Sequence, residues 1–98
     1  MSNPIKNSNF MKMEYGIVLR TDGTIKILMP DNGTDFQLAE LQKVVEGYIE
    51  LIHFSPHYFM VVNEEGLLKK LPLNNLASSL RGYAIYGNVL LCDKSMIK

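Results

Sequence analysis

The sequence predicts an α+β domain: a curled antiparallel sheet of five to six strands, with one main helix packed on it and one short helical turn. Three observations carry that expectation. Residues 34–46 repeat apolar side chains at helical spacing behind a polar start. Residues 48–63 hold two runs that are apolar at nearly every position, rich in aromatic and β-branched types, and too short for helices. Asp22-Gly23 stands between two alternating runs, a strong short-range hairpin signal.

Taken in order, residues 1–13 are rich in Ser and Asn without periodicity and read as a flexible N-terminal arm. One domain is expected over residues 14–93, with a loose C-terminus at 94–98. The first strand, residues 14–20, places Tyr15, Ile17 and Leu19 on one face and Gly16 and Val18 on the other. Its turn calls for positive φ at both Asp22 and Gly23. The return strand, 24–29, turns Ile25, Ile27 and Met29 one way and stops at Pro30, which has no ladder donor.

The main helix begins at a capping box formed by Thr34 and Gln37, with Asp35 adding charge near the positive helix end. Leu38, Leu41, Val45 and Tyr48, with Val44 beside them, make its apolar face; Glu40, Gln42, Lys43 and Glu46 make the other. Gly47 is the expected left-handed stop. Residues 48–54 and 58–63 then read as strands covered on both faces, hence central, joined by Ser55-Pro56-His57. Asn63-Glu64-Glu65-Gly66 reads as a type I turn with a left-handed Gly66, followed by a strand over 67–71 that ends at Pro72. Asn74 caps a single helical turn over 75–80, with Gly82 as its exit. Residues 83–86 and 88–92 are extended, with a bend at Gly87.

The totals narrow the function classes. Ten basic and ten acidic residues cancel among 98, so there is no cationic surplus to draw in double-stranded nucleic acid or an anionic membrane. No stretch approaches the length of a membrane span, which makes the cytoplasm the expected location. The single cysteine, Cys92, lies in an apolar run and reads as a buried, reduced thiol.

No catalytic constellation emerges, and no enzyme activity, metal or cofactor is expected. His53 and His57 lack the further ligands that a metal site needs. Glu64 and Glu65 are adjacent on a turn and cannot flank one bond. Ser55, Ser78 and Ser79 lack a nucleophile elbow. The glycines of residues 82–87 have the wrong spacing for a phosphate loop. Arg81 beside Tyr83 is the more suggestive pair, since a guanidinium next to an aromatic ring can hold an anion and stack a base. Asn63, Asn74 and Asn75 fall at strand ends, where side-chain amides tie turns together or line a pocket.

Leu41-Gln42, Gly47-Tyr48-Ile49-Glu50, Asn63-Glu64-Glu65-Gly66, Leu71-Pro72-Leu73-Asn74 and Gly87-Asn88 together resemble a family of small domains of unknown function carried mainly by bacteriophages and mobile elements. Glu46 departs from that pattern, where a second glycine is common. The resemblance implies an accessory role, such as counter-defence. Two functions from different classes follow. One is a homo-oligomeric sponge whose pockets trap a nucleotide-derived immune signal through Asn63, Asn74, Arg81 and Tyr83. The other is an interaction module that docks a host protein through Phe54, Tyr58 and Phe59.

Overall fold

The computed structural model describes residues 14–98; the arm expected over residues 1–13 lies outside them. Strands β1 (Gly16–Leu19), β2 (Ile25–Leu28), β3 (Ile49–His53), β4 (Tyr58–Asn63) and β5 (Val89–Asp93) form one sheet in which every neighbouring pair is antiparallel. Helix α1 (Leu38–Val45) follows β2, helix α2 (Asn75–Arg81) follows β4, and a 3-10 turn over Lys94–Met96 follows β5. The spatial order is β2-β1-β5-β4-β3, so the sheet is unclosed, with β2 and β3 at its edges. This is the expected α+β class, with five strands, one main helix and one short one.

Strand alternation sends side chains to two different cores. On the first face, Val18, Val61, Leu90 and Cys92 meet Leu41 and Val45 of α1, with Phe36 and Met96. On the second, Leu19, Met60, Val62 and Val89 meet Ala77 of α2 and Ile85. Met60, Val61, Val89, Leu90 and Cys92 are fully buried, so β4 and β5 are the centre of the molecule. The second face is covered only in part. Toward β2 it ends in Ile25, Ile27 and Met29, each about three-fifths exposed (59–60%).

The β1–β2 turn departs from expectation. Gly23 alone has positive φ (+89°); Asp22 does not. Gly23 N–H donates to Arg20 C=O (3.0 Å) and Arg20 N–H to Thr24 C=O (2.9 Å), a three-residue loop with a glycine bulge. Asp22 serves through its side chain instead, accepting from the Thr24 N–H (2.9 Å) and hydroxyl. These bonds hold its carboxyl below the usual range.

Helix α1 starts three residues later than expected. Its capping box joins Gln37 and Glu40, and Glu40 Oε2 accepts the Gln37 N–H (2.8 Å). Thr34 is unavailable as a cap, because its N–H and hydroxyl turn toward Asn32 Oδ1 (2.9 and 3.2 Å). The helix stops at Glu46, which is left-handed (φ +64°), and not at Gly47. Glu46 N–H and Gly47 N–H both donate to Gln42 C=O, at 2.8 and 3.1 Å; the first is a five-to-one bond and the second the six-to-one bond of a helix end. Gly47 is required for room: a Cβ there would sit 2.7 Å from Asn63 Nδ2.

Five further expectations are corrected. The first is that β3 is an edge strand, with Glu50, Leu51 and His53 exposed, while β4 is central. The second is the strand expected over 67–71, which is a winding of turns. Lys69 N–H donates to Glu65 C=O (2.9 Å) and Leu71 N–H to Gly66 C=O (3.0 Å), with Lys70 left-handed (φ +57°). A Glu65–Lys69 pair (3.5 Å) at helical spacing supports the winding. The third is Gly66, whose φ is not positive; it makes room for the Tyr86 carbonyl, 2.7 Å from where a Cβ would stand. Residues 83–86 form no strand, only a single bridge between Tyr86 and Leu73. Residues 94–98, expected to be loose, include Met96, which is 2% exposed, and Ile97, which bridges to Phe36; the Phe36 N–H donates to Met96 C=O (2.8 Å).

Candidate functional site

The four residues expected to bind a ligand do not gather in one place. Asn74 caps α2 and is fully buried. Its Oδ1 accepts the Ala77 N–H (3.0 Å), and its Nδ2 donates to Leu19 C=O (2.8 Å) and Gly87 C=O (2.9 Å). That amide joins α2, β1 and the bend before β5, and both of its N–H bonds are used. Asn63 is 5% exposed and ties the end of α1 to the turn after β4: Nδ2 donates to Val45 C=O (2.9 Å) and Oδ1 accepts the Glu65 N–H (2.7 Å). Arg81 stacks on the ring of Tyr83, with its guanidinium carbon 4.7 Å from the ring centroid. Asn63 and Tyr83 share the lining of a shallow hollow of about 220 Å³, which neither Asn74 nor Arg81 reaches.

The aromatics around Ser55-Pro56 are partly covered. Phe54 packs against the second core, and Phe59 lies 5.1 Å from the His53 ring and 5.1 Å from Lys94 Nζ, centroid to centroid and nitrogen to centroid. Ser55 Oγ accepts the N–H groups of His57 and Tyr58 (3.2 Å each), which fixes the loop from within. His53 Nδ1 lies 2.7 Å from Lys94 Nζ. Among the described residues no group of three or more His, Cys, Asp or Glu side chains is placed to hold a metal ion. Burial, with Asp93 adding a neighbouring negative charge, pushes the Cys92 thiol up to about 12.

A larger hollow opens between α1 and the β1–β2 hairpin, and sequence reasoning did not find it. Its volume is about 470 Å³, within the roughly 300–1,000 Å³ common for small-molecule sites. Val18, Leu28 and Val44 give it an apolar lining. Arg20, Lys26 and Lys43 bring three cations, from the end of β1, from β2 and from α1. Asp31, Glu40 and Glu46 bring three carboxylates, and Asn88 an amide. Glu40 is already committed, since its oxygens accept the N–H groups of Asp31 (2.9 Å) and Gln37 (2.8 Å). Asn88 Oδ1 accepts the Thr21 N–H (3.0 Å), fastening the hairpin to β5. The left-handed Glu46 is part of the same lining. The lining comes from four separated segments with no motif in common. The one legible signal is alternation, which places Lys26 and Leu28 on the helix-bearing face.

Fold and site together define a class: a single-sheet α+β domain with a mixed-charge cleft between its hairpin and its main helix. The chain belongs to the family described as a domain of unknown function (DUF3846), whose pattern matches residues 12–96. Searches of curated proteins and of solved structures each give no match. Among the described residues no helix is long and apolar enough to cross a membrane.

Proposed function

We propose that this domain is a non-enzymatic binder that holds a nucleotide-derived ligand in the cleft between α1 and the hairpin. In the bacteriophage or mobile-element setting that the sequence resemblance implies, such binding sequesters an immune signal in the host cytoplasm. The observation that carries this reading is the cleft lining: Arg20, Lys26 and Lys43 from three segments, with uncommitted carboxylates beside them. A plain anion would be served by the cations alone. A nucleotide uses both signs, its phosphate taken by Arg or Lys and its ribose hydroxyls by a carboxylate, here Asp31 or Glu46. Asn88 Nδ2, which has no partner among the described residues, supplies a donor for a base edge.

Isothermal titration of the full chain with cyclic dinucleotides and ADP-ribose derivatives tests this. A saturable heat is expected with at least one class, weakened roughly tenfold to a hundredfold by Arg20→Ala or Lys43→Ala at unchanged melting temperature. The ligand should be recovered chemically unaltered after prolonged incubation. Silence across the panel overturns the ligand; turnover overturns the non-enzymatic role.

A further inference from the structure

We propose that β2 is a self-pairing edge, through which two copies of this chain join antiparallel about a two-fold axis at Ile27. The inference stands apart from the ligand reading, and either can fail alone. It begins with the direction of the backbone groups. Arg20 and Thr24 form a hydrogen-bonded pair, so the alternation of an antiparallel ladder makes Val18–Lys26 and Gly16–Leu28 hydrogen-bonded as well. Leu19–Ile25 and Ile17–Ile27 are then the non-bonded pairs. The N–H and C=O of Ile25 and Ile27 therefore point away from β1, to the open side of the sheet, where only another strand can satisfy them in ladder geometry.

The same residues carry the exposed apolar side chains. Ile25, Ile27 and Met29 are each 59–60% exposed on the second face, beyond the reach of α2. A two-fold axis at Ile27 sets Ile27 opposite its own copy and Ile25 opposite Met29 of the second copy. Each then gains an apolar cross-strand neighbour on the side now open.

Charge completes the fit. On the helix-bearing face the same register sets Lys26 opposite Leu28 of the second copy, so the two lysines do not oppose each other. Lys26 has no ion-pair partner among the described residues, and neither does Asp31. Lys26 lines the cleft of its own chain with Leu28 and Asp31, so the pairing keeps like charges apart without drawing on a cleft carboxylate. Two five-stranded sheets become one continuous sheet of ten. The paired edge is short, so the association is expected to be weak and concentration-dependent.

Sedimentation velocity across a concentration series should show a monomer–dimer equilibrium. Ile27→Pro should weaken it at least tenfold while leaving the circular dichroism spectrum native, because the N–H it removes serves no bond among the described residues. As a second test, Ile27→Cys should crosslink to itself under mild oxidation, since Cα atoms of a bonded antiparallel pair lie about 5.5 Å apart, within disulfide reach. Ile25→Cys and Met29→Cys should each fail alone and crosslink when mixed. A chain monomeric at every concentration, a dimer indifferent to Ile27→Pro, or crosslinking of Ile25→Cys with itself would overturn the proposal.

Discussion

The two edges of the sheet are built on opposite plans. At β3 the outward backbone groups belong to Ile49, Leu51 and His53, because the Glu64 N–H donates to Tyr48 C=O (2.9 Å) and fixes the alternation. That edge is set about with polar groups: Glu50 on the strand, the His53–Lys94 contact at one end, and Lys69 beside Gly47 at the other. Charged side chains on an edge oppose pairing with another chain. At β2 the single charge is Lys26, and the outward-pointing residues are isoleucines. One border is thus blunted by charge, and the other is left apolar.

The contrast is broken most deeply in the sealed half of the molecule. Asn74→Ala removes the cap of α2 and strands two buried carbonyls, and should cost about 3 kcal/mol in urea denaturation. Ile27→Ser at the open border should stay within about 0.5 kcal/mol under dilute, monomeric conditions. Next come two prolines in one strand. Lys26→Pro deletes an N–H that bonds β1 and should cost about 2–3 kcal/mol, whereas Ile27→Pro should cost under about 1 kcal/mol.

A further effect is read from pH. The Cys92 thiol is raised in the fold from its ordinary value of 9.0 to about 12, so above pH 9 the unfolded chain releases its proton while the native one keeps it. Stability from this group is therefore whole below pH 9 and is lost as pH climbs through the interval to about 12. Cys92→Ala should flatten that decline relative to the parent, and the native thiol should resist alkylation until denaturant is added. The smallest expected change is a gain. Glu46 occupies a left-handed position, and Glu46→Gly should stabilise by roughly 0.5 kcal/mol, the relief of the Cβ clash less the added freedom of the unfolded chain.

Much of the architecture was legible in residue order. The hairpin, Leu41 and Val45 on the inner face of α1, the Asn74 cap and the alternation of β1 stand where the pattern put them; Leu38 and Tyr48, expected on that same helix face, are 57% and 63% exposed, and Tyr48 lies beyond the helix end. Edge and centre were not legible, because an apolar run records that a strand is covered and not how many neighbours it has. The start of α1 was displaced because two overlapping polar pairs, Thr34 with Gln37 and Gln37 with Glu40, both satisfy the capping pattern. Only the turn at Asn32 decides between them. The site was the least legible part. For Asn63 and Asn74 the sequence left turn duty and pocket lining both open, and in the fold their bonds go to backbone. The cleft residues Arg20, Lys26, Lys43 and Glu46 carry no shared spacing, since only β-pairing brings their segments together. The departure at Glu46 was visible in sequence, but its meaning required the φ angle.

The last few residues hold a lesson for anyone cloning this domain. Met96 plugs the helix-bearing core and the chain beyond it latches onto Phe36, so a boundary drawn at the close of β5 would leave a hole beneath α1. Reporter fusions belong instead at the solvent-facing hairpin tip, where the space around Gly23 is open, although Gly23 itself must stay glycine because its φ is +89°.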